Sequence, residues 1–121
     1  MERNWETIRE ILFAAESIEP DKTLTLSDFS LDRAHEISYQ ILILQEAGYI
    51  DALISKTLAR GPRNFHLHRL TWPGHELLDA IRDESIWDKT KSTISSKGVS
   101  MTFELVMSVA AQLAKQALGL R

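Results

Sequence analysis

Cysteine is absent from the 121-residue chain, which excludes disulfides, thiolate zinc sites and thiol nucleophiles. The same absence favours a reducing, cytoplasmic setting, because disulfides belong to oxidising compartments. No apolar run approaches the ~20 residues of a membrane-spanning helix, and the acidic, polar beginning MERNWE is unlike a signal peptide. The five scattered glycines form no phosphate-binding loop, and no serine stands in a Gly-x-Ser-x-Gly turn. We therefore expect a cytoplasmic protein without enzyme activity, cofactor or membrane contact.

Positive charge is also scarce. The chain carries 14 Lys and Arg against 17 Asp and Glu, a formal net charge of −3, so generic polyanion binding is not expected. The distribution is uneven: residues 1–29 hold seven acids and three bases, whereas residues 30–75 hold four acids, five bases and all four histidines. Any contact with phosphate is therefore expected in the middle of the chain, where the excess is a single charge.

Apolar spacing and turn residues predict the order of elements. Residues 4–17 have helical spacing and residues 23–26 alternate like a short strand. A turn at 27–29 leads to a long helix, with Ser30 as its N-cap and Gly48 as its end. The later elements are a strand at 49–58, a turn cluster at 59–64, a returning strand at 65–70, a helix from its cap Thr71 to about 83, a further helical stretch around Trp87 and Ile94, a linker at 95–98 and a last helix from Ser100.

That order predicts an α+β, mostly helical winged helix: an abbreviated helix-turn-helix, a two-stranded β wing and extra C-terminal helices. The stretch SYQILILQEAGYI, residues 38–50, resembles the recognition-helix ending of winged repressors. The stretch RLTWPGHELL, residues 69–78, resembles the Leu-Thr-x-x-Gly that follows the wing in such regulators. We expect residues 1–95 to form the winged-helix domain, and residues 96–121 to form a helix that packs on it or pairs two protomers.

A wider resemblance covers nearly the whole chain. The segments WETIREIL and LTWPGHELLDAIRDESIWDKTK, together with the last helix, resemble a bacterial and prophage family known as domain of unknown function 2513. This resemblance implies the fold and a bacterial or phage setting, and it implies no mechanism.

The long helix and the wing carry the candidate DNA contacts. The outward residues of the helix's first half would be Arg33, His35, Tyr39 and Gln40, with Arg33 suited to guanine and Gln40 to adenine. Phosphate contacts would come from five residues of the wing: Lys56, Arg60, Arg63, His66 and His68. The alternative is that these charges only solvate the surface. Asp32 and Glu36 would repel phosphate, and the apolar run Ile41–Leu44 wraps more than one face of the helix.

The last helix has small apolar residues that permit close packing. We expect it to form a dimer interface with seven residues: Phe103, Val106, Met107, Ala110, Leu113, Ala114 and Ala117. The alternative is that it covers Leu42 and Ile43 of its own chain. Trp5, Trp72 and Trp87 are expected in a core or an interface rather than as a platform for bases.

One stretch resembles an active site. His75 and Glu76 begin a His-Glu-x-x-His zinc motif, but Asp79 stands where the second histidine belongs. His66 and His68 share a strand face and would have to converge with His75 to complete a site. We expect no metal here, since Thr71, Pro73 and Gly74 suit a helix start, with Gly74 allowing close approach to the wing.

Two functions from different classes remain. The first is a DNA-binding transcriptional regulator of bacterial or phage origin, acting on duplex DNA as a homodimer. The second is a protein–protein adaptor on the same scaffold, with Tyr39, Leu42 and Trp72 in an apolar contact patch.

Overall fold

A computed structural model of the chain describes residues 1–56 and 61–120. The described part has α-helices and one three-stranded antiparallel sheet, and the chain divides into two compact units, Met1–His75 and Glu76–Arg121. The elements are α1 (Trp5–Glu16), β1 (Leu24–Thr25), 3₁₀ turns at Leu26–Asp28 and Leu31–Arg33, α2 (Ala34–Glu46), β2 (Ile50–Ile54), β3 (Phe65–Leu70), α3 (Trp72–Ile81), α4 (Glu84–Ser96) and α5 (Phe103–Ala117). None of the helices within this part is long and apolar enough to cross a membrane.

The sheet of the first unit has β3 at its centre, in the order β1-β3-β2. Leu24 pairs with Leu67 on one side, and Ile54 pairs with Phe65 on the other. Alternation along β3 buries Phe65 and Leu67 and exposes the histidines between and after them. The predicted short strand and the returning strand at 65–70 are confirmed, while the described part of the strand expected at 49–58 ends at Ile54.

Helices α1 and α2 cover the buried face of that sheet. Helix α1 buries Ile8, Ile11 and Leu12, and α2 buries Ile37 and Ile41, all of them completely. Spacing of three or four residues puts each set on one helix face, so the two stripes form a common core. Asn4 begins α1 as its N-cap, because its side-chain oxygen accepts a 3.2 Å hydrogen bond from Thr7 N.

The approach to α2 differs from the expected cap. Ser30 does not cap the long helix: its hydroxyl donates to Asp32 Oδ1 at 2.5 Å, and a 3₁₀ turn at Leu31–Arg33 intervenes before α2 starts at Ala34. The Ser30 hydroxyl is therefore hydrogen-bonded within its own turn and does not cap α2. The turn predicted at 27–29 overlaps the 3₁₀ turn at Leu26–Asp28, and a second 3₁₀ turn, which was not predicted, follows it before α2.

The start of α3, directly after the hairpin, has the predicted cap at Thr71 and the predicted close approach at Gly74. Thr71 Oγ1 accepts from Gly74 N at 3.2 Å, which caps α3, and donates to Gly48 O at 2.6 Å. A Cβ on Gly74 would lie 1.9 Å from Tyr49 O, so only glycine fits where α3 starts against the residue before β2. Gly48, with φ of +83°, ends the α2 segment as expected.

The second unit contains a pair of packed helices, α4 and α5. Asp83 caps α4 by accepting from Ile86 N at 2.9 Å, and Thr102 caps α5 by accepting from Leu105 N at 3.1 Å. Helix α4 therefore restarts after α3 rather than continuing it. The expected linker and last helix are displaced, because α4 runs to Ser96 and α5 starts three residues later than Ser100.

Candidate nucleic-acid interface

Arg33, predicted to contact guanine, is engaged with two glutamates. Its Nη1 and Nη2 donate to the two oxygens of Glu10 at 3.0 and 2.7 Å, and its Nε lies 3.5 Å from Glu36 Oε2. The hydrogen bonds to Glu10 raise the pKa of the Arg33 guanidinium further above its ordinary value. The guanidinium nitrogens that were predicted to bind guanine therefore bind the carboxylate of Glu10 in α1. Arg33 makes paired hydrogen bonds as expected, but it makes them to a residue of its own chain.

Gln40, predicted to contact adenine, is completely buried, so its expected outward position is wrong. Its Oε1 accepts from Asn4 N at 2.9 Å, and its Nε2 donates to Glu2 O at 3.0 Å. The physical reason is its place in the helix: Gln40 follows the buried Ile37 by three residues and precedes the buried Leu44 by four. Gln40 therefore lies on the buried stripe of α2, where its side chain hydrogen-bonds to the segment before α1.

Glu36 completes this contact between α1 and α2. Its Oε1 accepts hydrogen bonds from Asn4 Nδ2, at 3.1 Å, and from Thr7 Oγ1. The carboxylate that was expected to repel phosphate thus serves as an acceptor within the first unit. The helix face of Arg33, Glu36 and Gln40 is used for packing, which leaves His35, Tyr39 and Leu42 for contact with other molecules.

A groove joins α2 to the hairpin. Arg63 N donates a 2.8 Å hydrogen bond to Ser38 Oγ, which fixes the segment before β3 against the middle of α2. A cavity of about 190 Å³ opens there; we refer to it as the α2 groove, lined by Met1, His35, Ser38, Tyr39, Leu42, Gly61, Pro62 and Arg63. Three predicted contact residues, His35, Tyr39 and Arg63, therefore meet at one site. No role for Ser38 in this groove was predicted from the sequence. The signal that could have indicated one is a small polar residue on the buried stripe of α2.

The two histidines of β3 lie elsewhere. His66 and His68 are exposed on the face of the sheet opposite the core, with His66 Nδ1 3.3 Å from Thr23 Oγ1. His66 lines a separate cavity of about 250 Å³ with Leu53, Ser55 and Asn64, and no residue of that cavity lines the α2 groove. Lys56 is exposed after β2. Arg60 lies outside the described residues.

The three residues expected to form the apolar contact patch of an adaptor do not all line one cavity. Tyr39 and Leu42 line the α2 groove, whereas Trp72 does not. Trp72, at the start of α3, is 76% exposed, while Trp5 and Trp87 are buried.

The residues that suggested a metal site have other environments. Asp79 lies 2.9 Å from Arg82 in an ion pair one helical turn along. His75 donates its backbone N–H to Thr71 O at 3.0 Å within the capped start of α3. Over residues 1–56 and 61–120, no three His, Asp or Glu side chains are grouped so as to hold a metal ion.

The predicted dimer residues of α5 fall into two groups. Val106 and Ala110 are completely buried in the single chain, so their assignment to a contact between protomers is wrong. They lie on the stripe of a helix that packs on α4, where burial needs no second copy. Phe103, Met107, Leu113 and Ala114 are half-buried, and Ala117 is exposed.

Comparison with known proteins gives one family. Residues 2–100 match the model of a family described as "Hypothetical protein (DUF2513)". The chain belongs to the DUF2513 family. An "Uncharacterized protein" of Haemophilus influenzae (strain ATCC 51907 / DSM 11121 / KW20 / Rd) is 36% identical over 120 residues, which cover 98% of this chain and 100% of that relative. No solved structure gives a significant match.

Proposed function

We propose that this member of the DUF2513 family is a winged-helix protein of bacterial or phage origin that binds duplex DNA as a homodimer and controls transcription in the cytoplasm. The topology supports this: α1, β1, two helical turns, α2 and an antiparallel hairpin follow one another, with β1 added beside β3. In this arrangement α2 acts as the recognition helix that enters the major groove, and the β2–β3 hairpin acts as the wing.

The observation that carries the proposal is the 2.8 Å hydrogen bond from Arg63 N to Ser38 Oγ. It couples the recognition helix to the base of the wing, so that a duplex meeting one also meets the other. His35 and Tyr39 offer hydrogen-bonding side chains from α2, and Arg63 offers a cation beside them. Arg63 contacts phosphate, while His35 and Tyr39 contact base edges or sugar.

The packing of Arg33 and Gln40 reduces the set of contacts. In the proposed complex the full positive charges at the duplex are Lys56, Arg60 and Arg63. Three phosphate contacts give a slope of log K against log salt of about −2.7 per protomer, and of about −5.4 for a dimer. Residues 1–75 carry 11 acidic and 8 basic side chains, so binding depends on these few cations rather than on overall attraction.

Neutralisation of matched arginines tests the proposal. Arg63→Gln and Arg69→Gln remove the same charge from the same strand region, but Arg69 is exposed and paired with Asp51 at 3.6 Å, away from the α2 groove. We expect Arg63→Gln, and more strongly Arg60→Gln with Arg63→Gln, to weaken binding of a labelled duplex at low salt, while Arg69→Gln binds as the wild type. Absence of wild-type binding at about 50 mM salt, where phosphate contacts are strong, or equal loss in both single variants, would contradict the proposal.

The second candidate is a protein–protein adaptor on the same scaffold, and the exposure of Trp72 favours it. A tryptophan that is 76% exposed offers a large apolar surface with one hydrogen-bond donor, and tryptophan is enriched at protein interfaces. This candidate expects a protein captured from a cell extract that is lost with Leu42→Glu or Trp72→Ala and retained with Leu53→Glu, a control at another exposed leucine. Retention with all three variants would contradict the adaptor.

A further inference from the structure

An apolar cavity lies at the approach to α2. It has a volume of about 410 Å³, and we refer to it as the leucine cavity; it is lined by Leu26, Ser27, Phe29, Leu31, Ala34 and Asn64. Leu31, at its rim, is 90% exposed, the highest exposure among the large apolar side chains of the described residues. An apolar cavity with a projecting leucine at its rim is typical of a binding surface rather than of solvated surface.

The backbone around the leucine cavity is fixed by its own hydrogen bonds. Leu26 N donates to Asn64 Oδ1 at 3.3 Å, and Phe29 N donates to Leu26 O at 3.1 Å. Asp28 Oδ2 accepts from Thr25 N at 2.8 Å. Because these bonds are present in the free chain, a ligand would not have to order this segment when it binds.

Acidic residues flank the lining of the leucine cavity in sequence: Asp28 precedes Phe29, and Asp32 follows Leu31. The carboxylates of Asp28 and Asp32 are exposed, and neither forms an ion pair with another described residue. The nearest arginine in sequence, Arg33, is held by Glu10 and Glu36. The charge therefore favours an aliphatic ligand side chain with lysine or arginine beside it.

Residues 115–120, KQALGL, have this chemistry. Leu118 and Leu120 are 75% and 59% exposed, and Lys115 forms no ion pair with the described residues. The segment is also ordered: Leu120 N donates to Lys115 O at 2.7 Å and Gly119 N to Gln116 O at 3.0 Å, around a Gly119 with φ of +75°. These two bonds form a Schellman motif, which presents both leucines in a fixed turn after α5.

We propose that the leucine cavity binds residues 115–120 of a second copy of this chain. Leu118 and Leu120 enter beside Leu31, while Lys115 approaches the carboxylates of Asp28 and Asp32. Each copy gives its segment to the other, so two identical contacts close a two-fold dimer. This contact forms the homodimer of the proposed function and rests on that part of it; it can be tested without DNA, because the leucine cavity and the α2 groove share no lining residue.

Sedimentation equilibrium of the full chain over a concentration series tests the apolar part. Burial of one leucine is worth about tenfold in a dissociation constant, and each substitution occurs twice in the two-fold dimer. Leu31→Ser, Leu118→Ser and Leu120→Ser should therefore each weaken dimerisation about a hundredfold. Leu53→Ser, at a leucine that is 66% exposed on the sheet, is the matched control and should dimerise as the wild type. A wild-type chain that stays monomeric at the highest concentration, or a dimer equally sensitive to Leu53→Ser, would overturn the proposal.

A charge exchange tests the pairing itself. In Asp32→Lys two lysines face each other, and in Lys115→Glu two acids do, so each variant alone should dimerise less than the wild type at low salt. An equimolar mixture should recover dimers, because both contacts of the mixed pair then join opposite charges. Recovery should weaken as salt rises. A mixture that dimerises no better than its two components would overturn the proposal even if both variants fold, which their thermal melts establish.

Discussion

The backbone amide of Arg63 and the hydroxyl of Ser38 lie 2.8 Å apart and join the hairpin to α2. Ser38 is on the buried stripe of the helix, yet its oxygen serves the segment that precedes β3. The bond does more than satisfy a backbone donor, since it sets the distance between the side chains of α2 and the cation of Arg63. The proposed recognition surface depends on that distance.

Removing the Ser38 hydroxyl should therefore weaken DNA binding more than stability. Ser38→Ala leaves Arg63 N without its acceptor, and a lost hydrogen bond of this kind costs about 1 kcal/mol. We expect a small drop in the thermal midpoint and a severalfold loss of duplex affinity, measured by fluorescence anisotropy. Ser108→Ala, at an exposed serine of α5, is the control and should bind as the wild type. Unchanged affinity in Ser38→Ala would show that the hairpin needs no anchoring to α2.

Gly74→Ala should be strongly destabilising. The new Cβ would lie 1.9 Å from Tyr49 O and 3.0 Å from Tyr49 C, both backbone atoms, so the start of α3 would have to move. We expect a loss of at least about 3 kcal/mol in the free energy of unfolding, in the range of severe backbone clashes. Gly61→Ala is the matched control, because a Cβ at Gly61 would have no neighbouring atom within 4 Å among the described residues. Comparable urea midpoints for the two variants would disprove the close approach.

Gln40→Met should destabilise the chain through the segment before α1. The methionine fills a similar volume but leaves Asn4 N and Glu2 O without their partners. Each hydrogen bond of this kind contributes about 0.5–1.5 kcal/mol, so chemical denaturation should show a loss of about 1–3 kcal/mol for the two together. Gln112→Met, at an exposed position of α5, should show almost none. Equal stability of the two variants would contradict the buried role of Gln40.

Arg33→Met should leave base preference unchanged. Its guanidinium is held by Glu10 and Glu36, and ion pairs that are one-third or more exposed contribute little, about 1 kcal/mol or less. We expect a slightly lower thermal midpoint and the same ranking of duplex sequences in a binding selection. A change of preferred base in that selection would show that Arg33 leaves Glu10 to contact DNA.

The sequence predicted elements better than it predicted the roles of side chains. The strand at 65–70 and the cap at Thr71 follow from local rules of alternation and capping, and both are confirmed. Gly74 could be expected to allow a close contact, because glycine next to a helix start often does. These features depend on neighbours in sequence, which the sequence displays directly.

Partners distant in sequence decided the remaining features. Arg33 and Gln40 have side chains suited to bases, but Glu10 and Asn4, more than 20 residues earlier, occupy them. Val106 was assigned to a second copy because its apolar stripe was visible, while the helix that packs with α5 was not. Helical periodicity identifies which face is apolar, and only the fold identifies what covers it.

Backbone amide shifts of the isotopically labelled chain, titrated with duplex DNA at low salt, test the central claim most directly. The proposed recognition surface predicts the largest changes at His35, Tyr39 and Arg63, with Lys56 next and α4 and α5 little affected. These changes should diminish as salt is raised, since the contacts include phosphates. Shifts centred on Trp72, or none at any DNA concentration, would contradict DNA binding through α2 and the hairpin.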